Sequence, residues 1–221
     1  YDNFPMNDGT PPNAFALALV PLSGRDPGIA GSLAGYLACP MAQLGASRFT
    51  LATIADFLRD PGRYEPKVAR ERALTRLLGP RAPEATRFAL DTQQIEWGSW
   101  PRDPTTPAAT ADRLHDPAFV SSFTWTAERY PGRIAALQTL DDAAMREDIL
   151  RAMRRRLAIA RALPLAIEYL ARKDAGRADV APLLERLEAE RASWSSHREA
   201  AVALETFLGA AGIPLAPARP S

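Results

Sequence analysis

The sequence predicts a mainly α protein, in which a Gly- and Pro-rich N-terminal stretch with two short strand candidates leads into a series of amphipathic helices. Three observations predict this. From Met41 onward apolar residues recur at helical spacing, beginning with Leu44, Phe49, Leu51, Ile54, Phe57 and Leu58. Before Met41 the apolar runs are short and are broken by Pro11-Pro12, Gly24 and Pro27-Gly28. The 221 residues are 47% apolar and 24% charged, which is enough apolar surface for one or two packed domains.

Phe15 to Val20 and Ser32 to Ala38 are the two strand candidates. Each is too short for pattern alone to separate a strand from a buried helix. As strands they need partners, and parallel partners would come from elsewhere in a barrel. The first helix follows Met41 and stops at Pro61-Gly62. A second spans Glu65 to Leu78, with Val68, Ala69, Leu74, Leu77 and Leu78 facing inward and Gly79-Pro80 ending it. Pro83 suits the first turn of a third helix reaching about Gln94. Trp97 to Pro107 contains Gly98, Pro101 and Pro104 and reads as a long loop and soft boundary.

Two short helices are expected next, Pro117 to Arg129 and Gly132 to Leu140. Asp141-Asp142 suits a helix start, where carboxylates meet free amides and the positive dipole end. A long helix then runs towards Arg172 on a stripe of Ile149, Met153, Ala160, Leu163, Ile167 and Leu170, with Pro164 expected to kink or interrupt it. Gly176 and Asp179 mark a turn. The last helix carries Leu184, Leu187, Trp194, Ala201, Leu204 and Leu208 and ends near Gly209 or Gly212. The short connection predicts that the last two helices pack as a hairpin within a bundle. Trp194, Phe119, Phe123 and Trp125 read as core aromatics, and the tail PLAPARPS as disordered.

A net charge of +1 argues against both nucleic acid and a membrane surface as partners. Arg154-Arg155-Arg156 reads as a solvated helix face. One cysteine and two histidines without ligand spacing leave no expected metal, and no cofactor is implied. No apolar run approaches the roughly 18 residues of a membrane span, and the N-terminal residues lack a basic n-region.

Several motifs occur in order over residues 1–80. The chain opens with YDNFPMND, continues through LALVPLSGRDPGI, and then reads GYLACPMAQLGASRFTLATIADFLRDPGRYEP. This series resembles the family 84 glycoside hydrolases, the O-GlcNAcase and hyaluronidase-like β-N-acetylglucosaminidases. The resemblance implies the last strands and final helix of a (β/α)8 barrel over residues 1–80, followed by a helical bundle over 81–213 and a tail over 214–221. It implies hydrolysis of N-acetylglucosaminides by the whole protein, with the substrate acetamide as nucleophile in a retaining mechanism. The family's adjacent catalytic aspartates lie upstream of the matched stretch, so no catalytic residue is assigned here and the chain alone is expected to be inactive.

The resemblance assigns Asn3 and Asp8 to sugar binding. A carboxylate can accept from two vicinal hydroxyls of a pyranose, which suits Asp8. On residue chemistry alone both also fit turn positions, where their side chains cap their own backbone. Tyr1 is a candidate wall for a sugar face, while Asp2 reads equally well as a solvated residue. Cys39 stands just before Pro40, where the family has an Asn that touches the sugar, and a thiol is a weak donor. The expected partners are an N-acetylglucosamine-containing glycan or glycoprotein, the rest of the barrel, and a second copy through the helical region. Two other readings stay open: a non-catalytic helical interaction module using the apolar stripes from Asp141 to Gly209, and an enzyme using the Cys39 thiol. The carboxylate pairs Asp141-Asp142 and Glu188 with Glu190 read as caps and surface groups, since a glycosidase needs two carboxyls facing across one bond.

Overall fold

The computed structural model describes residues 2–5, 17, 19–84, 86–87 and 113–215. The chain divides into two compact units. The first comprises Tyr1–Asp103 and Ala135–Leu150, the second Pro104–Ile134 and Arg151–Ser221.

In the first unit, β1 (Asp2–Pro5) pairs in parallel with β2 (Ala38–Cys39). A 3-10 turn, Pro27–Ser32, lies between them, and its Asp26 side chain accepts from the Gly28 N–H at 2.8 Å. Helix α1 (Leu44–Arg59) follows β2 directly, and α2 (Pro66–Leu78) comes next. Leu22, Ile54 and Phe57 form a buried cluster, with Phe4, Tyr36, Ala38 and Tyr64 packed around it. The strand segments and α1 thus share one core. Thr53 Oγ1 accepts from the Leu22 N–H at 3.0 Å, and the Tyr64 hydroxyl donates to the Leu22 carbonyl at 2.7 Å. Both backbone groups of this buried loop residue are therefore satisfied. Burial pushes the Tyr64 hydroxyl up to about 12, the Asp56 charge adding to it and a Thr53 hydrogen bond opposing. Asp56 is itself buried and accepts from Arg59 and from Arg72 of α2, each at 3.1 Å.

The start of α1 has no side-chain cap of its own. The Asp148 carboxylate supplies one, accepting from the Ala46 N–H at 3.1 Å. Asp148 lies on the first turns of α4 (Ala143–Asp174), the part of that helix belonging to this unit. Arg48 of α1 pairs with Asp142, and Asp142 caps α4 by accepting from the Met145 N–H at 3.0 Å. The expected cap at Asp141-Asp142 is thus formed by Asp142. That amide bond holds the Asp142 carboxyl below its ordinary value against the opposing effect of burial, with Arg48 adding to it. Gly45 faces the backbone of Ala144 and Met145 so closely that a Cβ there would lie 2.6 Å from it.

The second unit is helical among the described residues. It contains most of α3 (Pro117–Leu137), α4 from Arg151, α5 (Ala181–Ser193) and α6 (Arg198–Ala210). Asp116 caps α3 by accepting from the Ala118 and Phe119 amides. The core includes Phe119, Phe123, Tyr130, Leu163, Leu187, Trp194, Leu204 and Phe207. Trp194 donates to Glu190, which also lies 3.9 Å from Arg161.

Several expectations are corrected. Leu17, Leu19 and Val20 carry no strand, and Ser32 to Ala38 is not a strand before Ala38. The pairing segment is instead Asp2–Pro5, which had no strand signal of its own. The two helices expected over 117–140 are one, because the exposed Pro131 lies inside α3 without ending it. Pro164 likewise sits on an exposed position of an unbroken α4. The carbonyl that loses its amide partner is that of buried Ala160, and the packing of buried Leu163 and Ala166 holds the helix despite that lost bond. The single last helix is two, divided at Trp194–His197. Arg155 and Arg156 are buried, not solvated. Arg156 donates to Thr126 Oγ1 at 2.9 Å and stacks on the Phe123 ring at 5.1 Å, where a weakly hydrated guanidinium fits. Val68, expected to face inward, is 52% exposed, and Leu44, Leu51 and Leu58 also lie at the surface. The third helix beyond residue 87, the loop at Trp97–Pro107 and the tail from residue 216 lie outside the described residues.

Candidate functional site

The parallel pairing brings two of the proposed sugar-binding positions onto adjacent strands. Asn3 lies in β1, and Cys39 closes β2 opposite Pro5. Cys39 is a half-buried free thiol. Tyr1 and Asp8 lie outside the described residues, as does the Asn3 side chain.

The ladder is irregular here. Asp2 faces Ala38 and Pro5 faces Cys39, so three steps along β1 match one along β2. Asn3 and Phe4 therefore form a bulge, a device that redirects backbone and ends pairing near functional sites. The Asp2 N–H keeps a backbone bond to the Leu37 carbonyl at 2.8 Å. The Phe4 N–H, taken out of the ladder, donates instead to Asp2 Oδ1 at 3.0 Å.

The Asp2 carboxylate is also a hub for the loop between the strands. Arg25 grips it with two bonds, Nε to Oδ2 and Nη2 to Oδ1, both 2.9 Å. The Tyr36 hydroxyl donates to Oδ2 as well. The reading of Asp2 as a solvated residue is therefore corrected: its side chain is 14% exposed and takes four donor contacts. Residue-by-residue reading missed this cluster because Asp2, Arg25 and Tyr36 are far apart in sequence. Its one legible signal was Arg25, which stands in the SGR step of the resembled loop.

The electrostatics follow from the contacts. Burial pushes the Asp2 carboxyl up, but the bonds from Arg25, Tyr36 and the Phe4 amide, with the Arg25 charge, outweigh it and bring the pKa down to about 2. Burial and the bond to Asp2 push the Tyr36 hydroxyl above its ordinary range. At neutral pH Asp2 is thus a fixed anion and Tyr36 a fixed donor, so neither is tuned for proton transfer near pH 7.

A folded-state pKa below the unfolded value of 3.8 stabilises the fold fully above about pH 4, and that stabilisation is lost as pH falls through about 2. In an NMR titration the Asp2 side-chain carbon should have its midpoint near 2. Arg25→Met should move the midpoint up towards the ordinary 3.8, because burial then meets only the Tyr36 and Phe4 bonds. An unmoved midpoint would refute the Arg25 assignment.

Among the described residues no group of three His, Cys, Asp or Glu side chains could hold a metal ion, and no helix is long and apolar enough to cross a membrane.

Residues 1–91 match the sequence model of the β-N-acetylglucosaminidase family. In three dimensions the chain is similar to a point mutant of the O-GlcNAc hydrolase of Thermobaculum terrenum. The TM-score is 0.59 at 19% identity, over 96% of this chain and 47% of that one. It is also similar to CpGH84B, with a TM-score of 0.56 at 18% identity, over 94% of this chain and 35% of that one. At such identities the likeness is one of fold. The chain spans less than half the length of either structure. No curated protein matches its sequence. The resemblance carried by the N-terminal motifs is thus found again, by a family model over the same residues and by family 84 neighbours in fold.

Proposed function

We propose that this chain is the C-terminal portion of a β-N-acetylglucosaminidase of the family 84 type. In this reading residues 1–80 supply the last strands and final helix of a (β/α)8 barrel, and residues 81–213 the helical bundle that follows it in sequence. The observation that carries the reading is the β1–β2 pair. It is parallel, it lies within the family match, and it is followed at once by a helix, as in a barrel's β-then-α order. A two-stranded parallel pair is a poor free-standing sheet, since parallel strands are normally covered and extended by neighbours. Leu44, Leu51 and Leu58 add support. They stand seven residues apart on α1, a spacing that keeps them on one face, and all three are exposed. An upstream barrel helix would cover them.

The whole enzyme would cleave N-acetylglucosamine from a glycan or glycoprotein, using the substrate acetamide as nucleophile. Upstream aspartates would orient the acetamide and protonate the leaving group. This chain would contribute binding: Asn3 near the reacting centre, Asp8 on the ring hydroxyls, Tyr1 as a wall, and Cys39 at the edge. Binding groups that strengthen towards the transition state raise the rate without themselves reacting. Cys39 replaces a carboxamide with a weaker donor, which would loosen one sugar contact.

Hydrolysis of an aryl N-acetyl-β-glucosaminide tests this. The chain alone should be inactive, and a form extended upstream through the rest of the barrel should turn over substrate. In that form Asn3→Ala and Asp8→Ala should each lower kcat/KM by about 10- to 150-fold, the range for losing a hydrogen bond worth about 1.5–3 kcal/mol. Activity in the isolated chain, or none in the extended form, would overturn the reading.

A further inference from the structure

We infer that Asp2 is a positioning residue for the sugar site: gripped by Arg25 and Tyr36, its carboxylate holds the bulge from which Asn3 is presented. The inference rests on the proposed role of Asn3 and goes beyond it, since it assigns a function to three side chains that touch no substrate.

Asn3 sits between two backbone groups that Asp2 itself fixes. On one side the Asp2 N–H donates to the carbonyl of Leu37, the residue just before β2. On the other the Phe4 N–H bonds to the Asp2 side chain, standing in for the strand partner that the bulge removes. A single Asp carboxylate left free to rotate would hold Phe4 loosely. Here the planar Arg25 fork fixes both oxygens, and Tyr36 adds a fourth donor to the two of Arg25 and the one of Phe4. Asp2 is therefore locked in rotation, and the bulge with it. The two gripping residues come from the loop between the strands and from the approach to β2, so the clamp also ties that loop to β1. Sugar-binding groups need placement to a fraction of an ångström, and displacement by about 1 Å can cost around 100-fold in rate.

The test is a double-mutant cycle in the upstream-extended protein, with an aryl N-acetyl-β-glucosaminide as substrate. Asp2→Asn and Tyr36→Phe should each lower kcat/KM by about 10-fold or more. In an Asn3→Ala background the same changes should cost less than about twofold further, because their effect passes through Asn3. Arg25→Lys should recover part of what Arg25→Met loses. A residue that only stabilises the fold would give losses that multiply with Asn3→Ala, and that outcome would overturn the inference while leaving the glycosidase reading intact. If the parent protein is active but Asn3→Ala is silent, the role of Asn3 fails and the inference with it. A parent without activity overturns the glycosidase reading, and this inference falls with it. Tyr36→Phe removes one hydroxyl only and keeps the cycle informative should Asp2→Asn fail to fold.

Discussion

Gly45→Ala should destabilise the protein, and Gly45→Val should do so by about 3 kcal/mol, the upper part of the range for overpacking. The sign is the informative part. Gly45 is the second residue of α1, and replacing glycine by alanine in a helix ordinarily gains propensity, up to about 1 kcal/mol in the interior. A Cβ at this position would meet the Ala144 carbonyl carbon and the Met145 nitrogen at 2.6 Å. These are backbone atoms in the first turn of α4, so no side-chain rotation can relieve the contact. The same junction carries the Asp148 cap on Ala46 and the Arg48–Asp142 pair, and both depend on the close approach that glycine permits. Urea unfolding of the two variants is the measurement. A stabilised Gly45→Ala would mean that α1 and the start of α4 are not this close in solution.

Phe49→Ala should cost about 3–5 kcal/mol, the range for emptying a buried aromatic site. Phe49 is fully buried in α1, and among the described residues of this unit it is one of the largest fully buried side chains. The contrast with Leu51, two residues on, gives the experiment its second use. Leu51 is exposed, so Leu51→Ala should change the stability of this chain by less than about 1 kcal/mol. In a form extended upstream, the same change should become several-fold more costly if a barrel helix covers the Leu44, Leu51 and Leu58 face. Equal small effects in both forms would count against that cover. Denaturant midpoints of the four proteins decide it.

The helical character of the chain was legible because period and punctuation agree. Pro61-Gly62 and Gly79-Pro80 stop α1 and α2 as their chemistry requires, and Asp142 caps α4. Proline interrupts neither of the two helices that contain it past their first turn. Pro131 and Pro164 sit on exposed faces of helices held by packing, and packing prevailed over the loss of one backbone bond. Periodicity also could not say which apolar face of α1 is buried. Phe49, Ile54 and Phe57 face the core, whereas Leu44, Leu51 and Leu58, equally apolar, do not.

By itself the sequence determined the composition class, most helix positions, and the order of motifs that the family match repeats over residues 1–91. These depend on neighbours along the chain, where spacing and turn chemistry suffice. It also placed Asn3 and Cys39 as candidates, though not their meeting on paired strands. Only the tertiary structure decided that Asp2 is an anchored anion, that Arg155 and Arg156 are buried, and that Gly45 is a contact point. Each of those results from groups distant in sequence being brought within a few ångströms, and for such pairs local pattern carries no distance.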